Sequence, residues 1–123
     1  MAERFDKLCG GSAPMIVATL GIRVPLEKTA EAMGVILPML GPTRSEAGCV
    51  SCDLFSSAED GSSMVLVERW KSERDFQRHV QSDHYRKVLA WIEMSVAPPE
   101  IRFDAVAESH GLEMIETMRG QPL

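Results

Sequence analysis

A chain of 123 residues is long enough to bury one hydrophobic core and too short for two, so we expect a single domain. Hydrophobic residues make up 45% and charged residues 25%, which is typical of a globular protein and excludes a disordered chain. The net charge is −5 and basic residues never cluster beyond a dipeptide, so we expect neither nucleic acid nor a membrane as a partner. The sequence shows no apolar run of membrane-spanning length and no signal-peptide pattern, which predicts a cytoplasmic protein.

The first 110 residues divide into a tail and a series of alternating elements. Residues 1–13 are polar and rich in glycine, which predicts a flexible N-terminal tail. Apolar and other residues alternate over 15–24, which predicts a strand. Pro25 then opens a helix that Gly34 and Pro38 should weaken. The predicted apolar face of this helix comprises Leu26, Ala30, Met33, Leu37 and Leu40.

A hairpin and a second helical region follow. Residues 49–56 and 64–70 predict two strands joined by a turn over 59–62. Ser72, with Asp75 three residues later, has the spacing of a helix N-cap. Helical periodicity continues to the Pro98-Pro99 pair and includes Tyr85, Val88, Leu89, Ile92 and Val96. Residues 101–107 alternate as a last strand, and residues 112–118 fit a strand or a helical turn equally well.

The element order β-α-β-β-α-β predicts an α+β fold of the ferredoxin-like, split βαβ type over residues 14–110, with 111–123 as a C-terminal extension. Four antiparallel strands would carry the helices on one face. We expect the other face to hold a mixed set of side chains, namely Met64, Leu66, Glu68 and Trp70 with Val17, Thr19 and Arg23. Such a face is too apolar to stay in water, so a partner sheet should cover it and enclose a ligand cavity.

Three cysteines cannot all pair within one chain, so free thiols are expected. Cys49 and Cys52 form a C-x-x-C sequence, but a regular strand would place their sulfurs on opposite faces. A redox or zinc role for this pair is therefore not expected.

Several short motifs resemble the antibiotic biosynthesis monooxygenase family over about residues 15–107. They are Gly48-Cys49 before a strand, then the segments 67–73, 76–79 and 82–85, which read VERWKSE, FQRH and SDHY. The resemblance implies a homodimeric α+β barrel. It also implies one of three activities: cofactor-independent oxygenation of aromatic polyketides or quinols, oxidative degradation of haem, or modification of a small signalling molecule.

The residues that distinguish these activities are only partly present. Haem-degrading relatives resemble the chain at Trp70, but they use an asparagine on the first strand and a haem-ligating histidine on the last helix. This chain contains Thr19 and Leu89 at those places and has no asparagine at all. Polyketide oxygenases of the family also use asparagine and several tyrosines, whereas Tyr85 is the only tyrosine here. We therefore expect no haem and no other cofactor.

Glu68 and Trp70 lie two residues apart on one strand and should share a face. Trp70 could stack on a flat substrate while Glu68 accepts its proton. Alternatively, Trp70 fills the core and Glu68 pairs with Arg23 or Arg69.

His79 and His84 carry imidazoles, which titrate near neutral pH and could deprotonate a hydroquinone. A packed or capping role is the alternative for both. A metal site built from His79, His84 and Glu68 is conceivable but not expected, because the spacing crosses a helix break and no third histidine is near in sequence.

The leading hypothesis is a cofactor-independent monooxygenase that acts on a small aromatic or quinol ligand. Its predicted catalytic residues are His79, His84 and Glu68, and its predicted substrate-binding residues are Trp70, Thr19, Arg23 and Tyr85. The alternative is a non-catalytic domain of the same fold that binds a hydrophobic ligand or serves a stress response.

Overall fold

The computed structural model describes residues 13–123, which contain four strands and four α-helices. The elements are β1 (Met15–Arg23), α1 (Thr29–Arg44), β2 (Cys49–Ser56), β3 (Ser63–Trp70), α2 (Glu73–Val80), α3 (Tyr85–Glu93), β4 (Glu100–Val106) and α4 (Leu112–Arg119). A short 3-10 turn, Leu26–Lys28, precedes α1. Residues 1–12, which make up all of the predicted tail except residue 13, lie outside the described residues.

The strands form one antiparallel sheet in the order β2-β3-β1-β4. This order, with β1 and β3 in the centre, is the arrangement of the split βαβ fold, so the predicted fold class is confirmed. Ser72 caps α2 as predicted, since its hydroxyl accepts a hydrogen bond from the Asp75 amide at 3.2 Å. The undecided C-terminal segment is helical and forms α4.

The predicted faces of the sheet are correct for β1 and wrong for β3. The register sets Ala18 opposite Glu68 and Leu20 opposite Leu66, and residues directly opposite in a ladder share a face. The shared face is buried beneath the helices and consists of Ile16, Ala18, Leu20 and Ile22 on β1 with Met64, Leu66, Glu68 and Trp70 on β3. Alternation shows which side chains share a face, but it does not show which face the helices cover.

The core lies between this face and the helices α1 and α3. The buried positions of α1 are Ala32, Ile36, Met39 and Thr43, so the predicted apolar face was misplaced around the helix. The helix continues through Pro38 and Pro42, because burial of this face holds it together where each proline lacks an N–H. Trp91 on α3 is fully buried, whereas the predicted core residue Leu89 is 49% exposed.

Cys49 and Cys52 do not lie on opposite faces of the sheet as predicted, because β2 is irregular. The register shifts between Cys49 and Ser51, so Cys49 pairs with Trp70 and Cys52 pairs with Glu68. Since Trp70 and Glu68 share the helix-covered face, the two cysteines face the same side. Both are free thiols, and burial raises the pKa of Cys52 to about 12. A buried thiol with such a high pKa is protonated and unreactive.

None of the helices within residues 13–123 has the length and apolar character needed to cross a membrane.

Candidate functional site

The candidate site forms at the end of β3, close to the loop between α1 and β2 and to the break between α2 and α3. Glu46 lies in the loop between α1 and β2, and its carbonyl accepts a hydrogen bond from the Cys49 amide at 3.1 Å. Gly48, with a φ of 84°, turns this loop, and its carbonyl accepts a bond from the Lys71 amide at 2.8 Å. The loop is thereby attached to the residue that follows β3.

The histidines come from the break between two helices. His79 lies in the last turn of α2, which ends at Val80, and His84 directly precedes α3. The Ser82 hydroxyl donates to the His79 carbonyl at 2.6 Å and so stabilises the turn between them. As a result the two imidazole rings lie 5.8 Å apart, centre to centre.

His79 is completely buried between two carboxylates. Its Nδ1 lies 2.8 Å from Glu46 Oε2, and its Nε2 lies 3.3 Å from Glu68 Oε2. The first contact is a hydrogen bond. The second is a charge contact at ion-pair distance whose direction is poor for hydrogen bonding, so Nε2 has no aligned acceptor among residues 13–123.

Glu68 is held beneath the helices by aromatic neighbours. Its Oε1 accepts a hydrogen bond from Trp70 Nε1 at 3.1 Å. The Trp70 and His79 rings stack with centroids 4.6 Å apart and an angle of 29° between their planes. Neither Arg23 nor Arg69 pairs with Glu68: Arg23 binds Asp60 at 2.9 Å, and Arg69 donates to Ser51 Oγ at 3.3 Å.

The carboxylates determine how the neighbouring groups titrate. Burial lowers the pKa of His79, but its close contacts with the Glu68 and Glu46 carboxylates outweigh burial and raise the pKa above its ordinary value. Burial, with the charge of Glu68, raises the pKa of Tyr85 to about 12. The site therefore favours an imidazolium at His79 and an un-ionised phenol at Tyr85.

A pocket of about 360 Å³ lies beside this cluster, between α2, the start of α3 and the strands β1 and β4. Its surface is almost entirely apolar. It is lined by Ile16, Glu73, Phe76, Gln77, Val80, Gln81, Tyr85 and Phe103. Tyr85 belongs to both regions, because its ring lies edge-on to that of His79 at 5.1 Å.

The structure brings together five of the seven predicted site residues: Glu68, Trp70, His79, His84 and Tyr85. Thr19 and Arg23 lie elsewhere, because they project from the face of the sheet that the helices leave uncovered. Their inclusion followed from the expectation that the ligand cavity lies on the uncovered face, whereas the pocket lies on the side of the helices.

Two acidic residues that the structure places at the site were not predicted. Glu46 lies in a loop and contacts His79 and His84 across 33 and 38 positions of sequence, so no local pattern indicates it. Glu73 stands in the first turn of α2, where an acidic residue is usual, and it lines the pocket. Its Oε2 is buried and has no hydrogen-bond partner among the described residues.

Residues 15–91 match the model of the family described as "Antibiotic biosynthesis monooxygenase". This match includes β1 to β3, α1, α2 and most of α3, and with them all the residues of the site described above except Phe103. The chain belongs to this family.

Comparisons with individual proteins agree. "Putative monooxygenase Rv0793" of Mycobacterium tuberculosis is 40% identical over 77 residues, which cover 62% of this chain and 75% of that protein. "Putative monooxygenase YcnE" of Bacillus subtilis is 29% identical over 76 residues, which cover 62% of this chain and 80% of that protein. The solved structure of Rv0793 superposes with a TM-score of 0.70 at 26% identity, covering 79% of this chain and 99% of that one.

Proposed function

We propose that the protein is a monooxygenase that oxidises a small aromatic or quinol-type substrate with O₂ and needs no bound cofactor for that reaction. The observation that carries this proposal is an apolar pocket that shares Tyr85 with a buried cluster of carboxylates and histidines. The family and the names of its relatives support the reaction class.

The shape and lining of the pocket support an aromatic substrate. Its volume of about 360 Å³ lies at the lower end of the range of roughly 300–1,000 Å³ for small-molecule sites. Phe76 and Phe103 lie 5.3 Å apart and tilted by 48°, so they offer aromatic surfaces against which a flat ring can pack.

Glu73 and Tyr85 are the residues proposed to contact the reacting hydroxyl. Glu73 has a buried carboxylate oxygen without a partner in residues 13–123, and such an atom gains most from a hydroxyl donor. Tyr85 remains a neutral phenol, because its pKa is raised to about 12, so it can donate a hydrogen bond to the oxygen as that oxygen becomes negative.

The predicted catalytic residues have an indirect role in this proposal. His79 and Glu68 do not line the pocket, whereas Phe76 and Tyr85, whose rings neighbour that of His79, do. They position Tyr85 and set the local charge. His84 contacts Glu46 and does not line the pocket, so we place it outside the substrate site.

The reaction needs only a base, orientation and exclusion of water. Transfer of the hydroxyl proton to Glu73 gives an electron-rich phenolate, which passes one electron to O₂. The resulting superoxide and substrate radical join at a ring carbon that bears hydrogen and, after protonation, form a hydroperoxide. Loss of water leaves a carbonyl at that carbon, so one oxygen atom enters the product and the other enters water. The substrate supplies all four electrons that reduce O₂.

Oxygen uptake with a panel of hydroquinones and naphthols tests this function. Glu73→Gln should lower kcat by about 10²-fold or more, because a positioned general base contributes about 10²–10⁴-fold. Tyr85→Phe, which removes only the hydroxyl, should lower kcat with little change in folding. Glu93→Gln, on the exposed surface of α3, is the matched control. Tight binding of these compounds without oxygen uptake would instead support a non-catalytic ligand-binding domain.

We also propose that two copies pair through the face of the sheet that carries no helix. This face presents Val17, Thr19, Val65 and Val67 along the central strands, with Phe55 on β2. Phe55 is 55% exposed in the single chain. A self-complementary contact of this face with a second copy would bury these residues.

A further inference from the structure

We infer that Glu46, His79 and His84 form a binding site for one divalent transition-metal cation of the zinc class. Two imidazoles and one carboxylate are ligands that such ions prefer. The three donor atoms, Glu46 Oε2, His79 Nδ1 and His84 Nε2, all lie within 4.8 Å of one another.

The spacing of these atoms fits a single ion. Zinc binds nitrogen and oxygen ligands at about 2.0–2.2 Å, which places neighbouring ligands about 3–3.5 Å apart. Glu46 Oε2 lies 2.8 Å from His79 Nδ1 and 3.1 Å from His84 Nε2. The two histidine nitrogens lie within 4.8 Å of each other, so side-chain rotations that draw them together would bring all three atoms to one ion.

A second, independent feature is the carboxylate behind His79. Metal-binding histidines usually direct the other ring nitrogen to a carboxylate, which orients the ring and raises its basicity. Here His79 Nε2 makes its charge contact with Glu68 Oε2 at 3.3 Å, and Trp70 Nε1 donates to the other oxygen of Glu68. Stacking on Trp70 further restricts the His79 ring. One histidine of the proposed site is thus already oriented before an ion binds.

The position of the site indicates a structural role. Glu46 belongs to the loop before β2, His79 to the end of α2 and His84 to the start of α3, so one ion would join three segments. The Glu46 and His84 side chains are 22% and 35% exposed, which leaves an entry path and open coordination positions. None of the three donor residues lines the pocket, so this inference goes beyond the proposed oxidation and does not depend on it.

Calorimetric titration of tag-free, EDTA-treated protein with Zn²⁺ tests the site, with Co²⁺ absorption as a second readout of histidine coordination. We expect one ion per chain and a rise in melting temperature. Glu46→Gln and His84→Ala, both at partly exposed positions, should each weaken binding at least tenfold while the variants remain folded. Glu68→Gln should weaken binding about 10–100-fold, as loss of an outer partner does.

His110→Ala is the matched control, because His110 also lies near a carboxylate, that of Glu108 at 3.4 Å, but on the surface. This change should leave binding unaltered. The inference is overturned if Zn²⁺ in molar excess gives no saturable binding. It is equally overturned if binding survives both Glu46→Gln and His84→Ala, or is lost in Cys49→Ser, since the ion would then be held elsewhere.

Discussion

His79 shows how strongly a buried residue depends on its partners. A fully buried imidazolium is costly unless opposite charge and hydrogen bonds compensate. Glu46 and Glu68 approach it from both ring nitrogens, so the charged form is favoured in the folded chain despite complete burial. The charges of this cluster are therefore part of the energetics of folding as well as of the proposed chemistry.

The raised pKa of His79 predicts a pH-dependent stability in metal-free protein. A group whose pKa is higher in the folded than in the unfolded state binds more protons when folded, so its contribution is complete below the unfolded pKa of about 6.5. That contribution is lost as the pH rises through the folded pKa of His79. The free energy of unfolding, measured by urea titration in EDTA, should therefore fall as the pH rises from about 6.5.

Glu46→Gln is the test variant for this dependence, because it removes one of the two carboxylates that raise the pKa of His79. The variant should show a weaker decline across the same pH range. His110→Gln, at the surface, should show the same decline as the wild type. An unfolding free energy of wild-type protein that rises over this range would contradict the assignment.

At the scale of elements, the loop around Gly48 links the sheet to α2. Gly48 has a φ of 84°, and a Cβ there would overlap the Asp75 side chain in the first turn of α2. Both the backbone conformation and the close approach require glycine. Because α2 carries His79, the loop helps to place the buried histidine as well as Glu46.

Gly48→Ala should lower the free energy of unfolding by at least about 1–2 kcal/mol, the cost of a left-handed conformation for a residue with a Cβ. Gly34→Ala is the matched control. Gly34 lies within α1 with nothing within 4 Å of an added Cβ, so alanine should raise stability there by about 0.5–1 kcal/mol. Urea denaturation measures both, and equal effects of the two substitutions would contradict this reading of the loop.

Local patterns predicted the elements well and their contacts less well. Alternation and capping signals located the four strands and α2, because those signals depend on neighbouring residues. The helix-covered face was wrong for β3, since that choice depends on how β3 pairs with β1 and where the helices pack. The bulge at Cys49 and the contact of Glu46 with His79 were not predicted, because each arises from pairing with a distant segment.

For the whole molecule, the proposed assembly depends on the uncovered face of the sheet. We expect a particle mass of twice the 13.6 kDa of one chain by light scattering at micromolar concentration. Val67→Glu, at the centre of that face opposite Thr19, should dissociate the dimer. Leu37→Lys, on the 47% exposed outer side of α1, should not. A wild-type mass near that of one chain would count against the proposed pairing.

The central claim is that the pocket beside Tyr85 supports insertion of one oxygen atom into an aromatic substrate without a cofactor. Its most direct test is mass spectrometry of the product formed under ¹⁸O₂ by EDTA-treated, cofactor-free protein with a hydroquinone or naphthol that is turned over. We predict one ¹⁸O atom in each product molecule, one in water, and loss of the reaction in Glu73→Gln. A product that contains no ¹⁸O, or equal labelling by the Glu73→Gln variant, would contradict the claim.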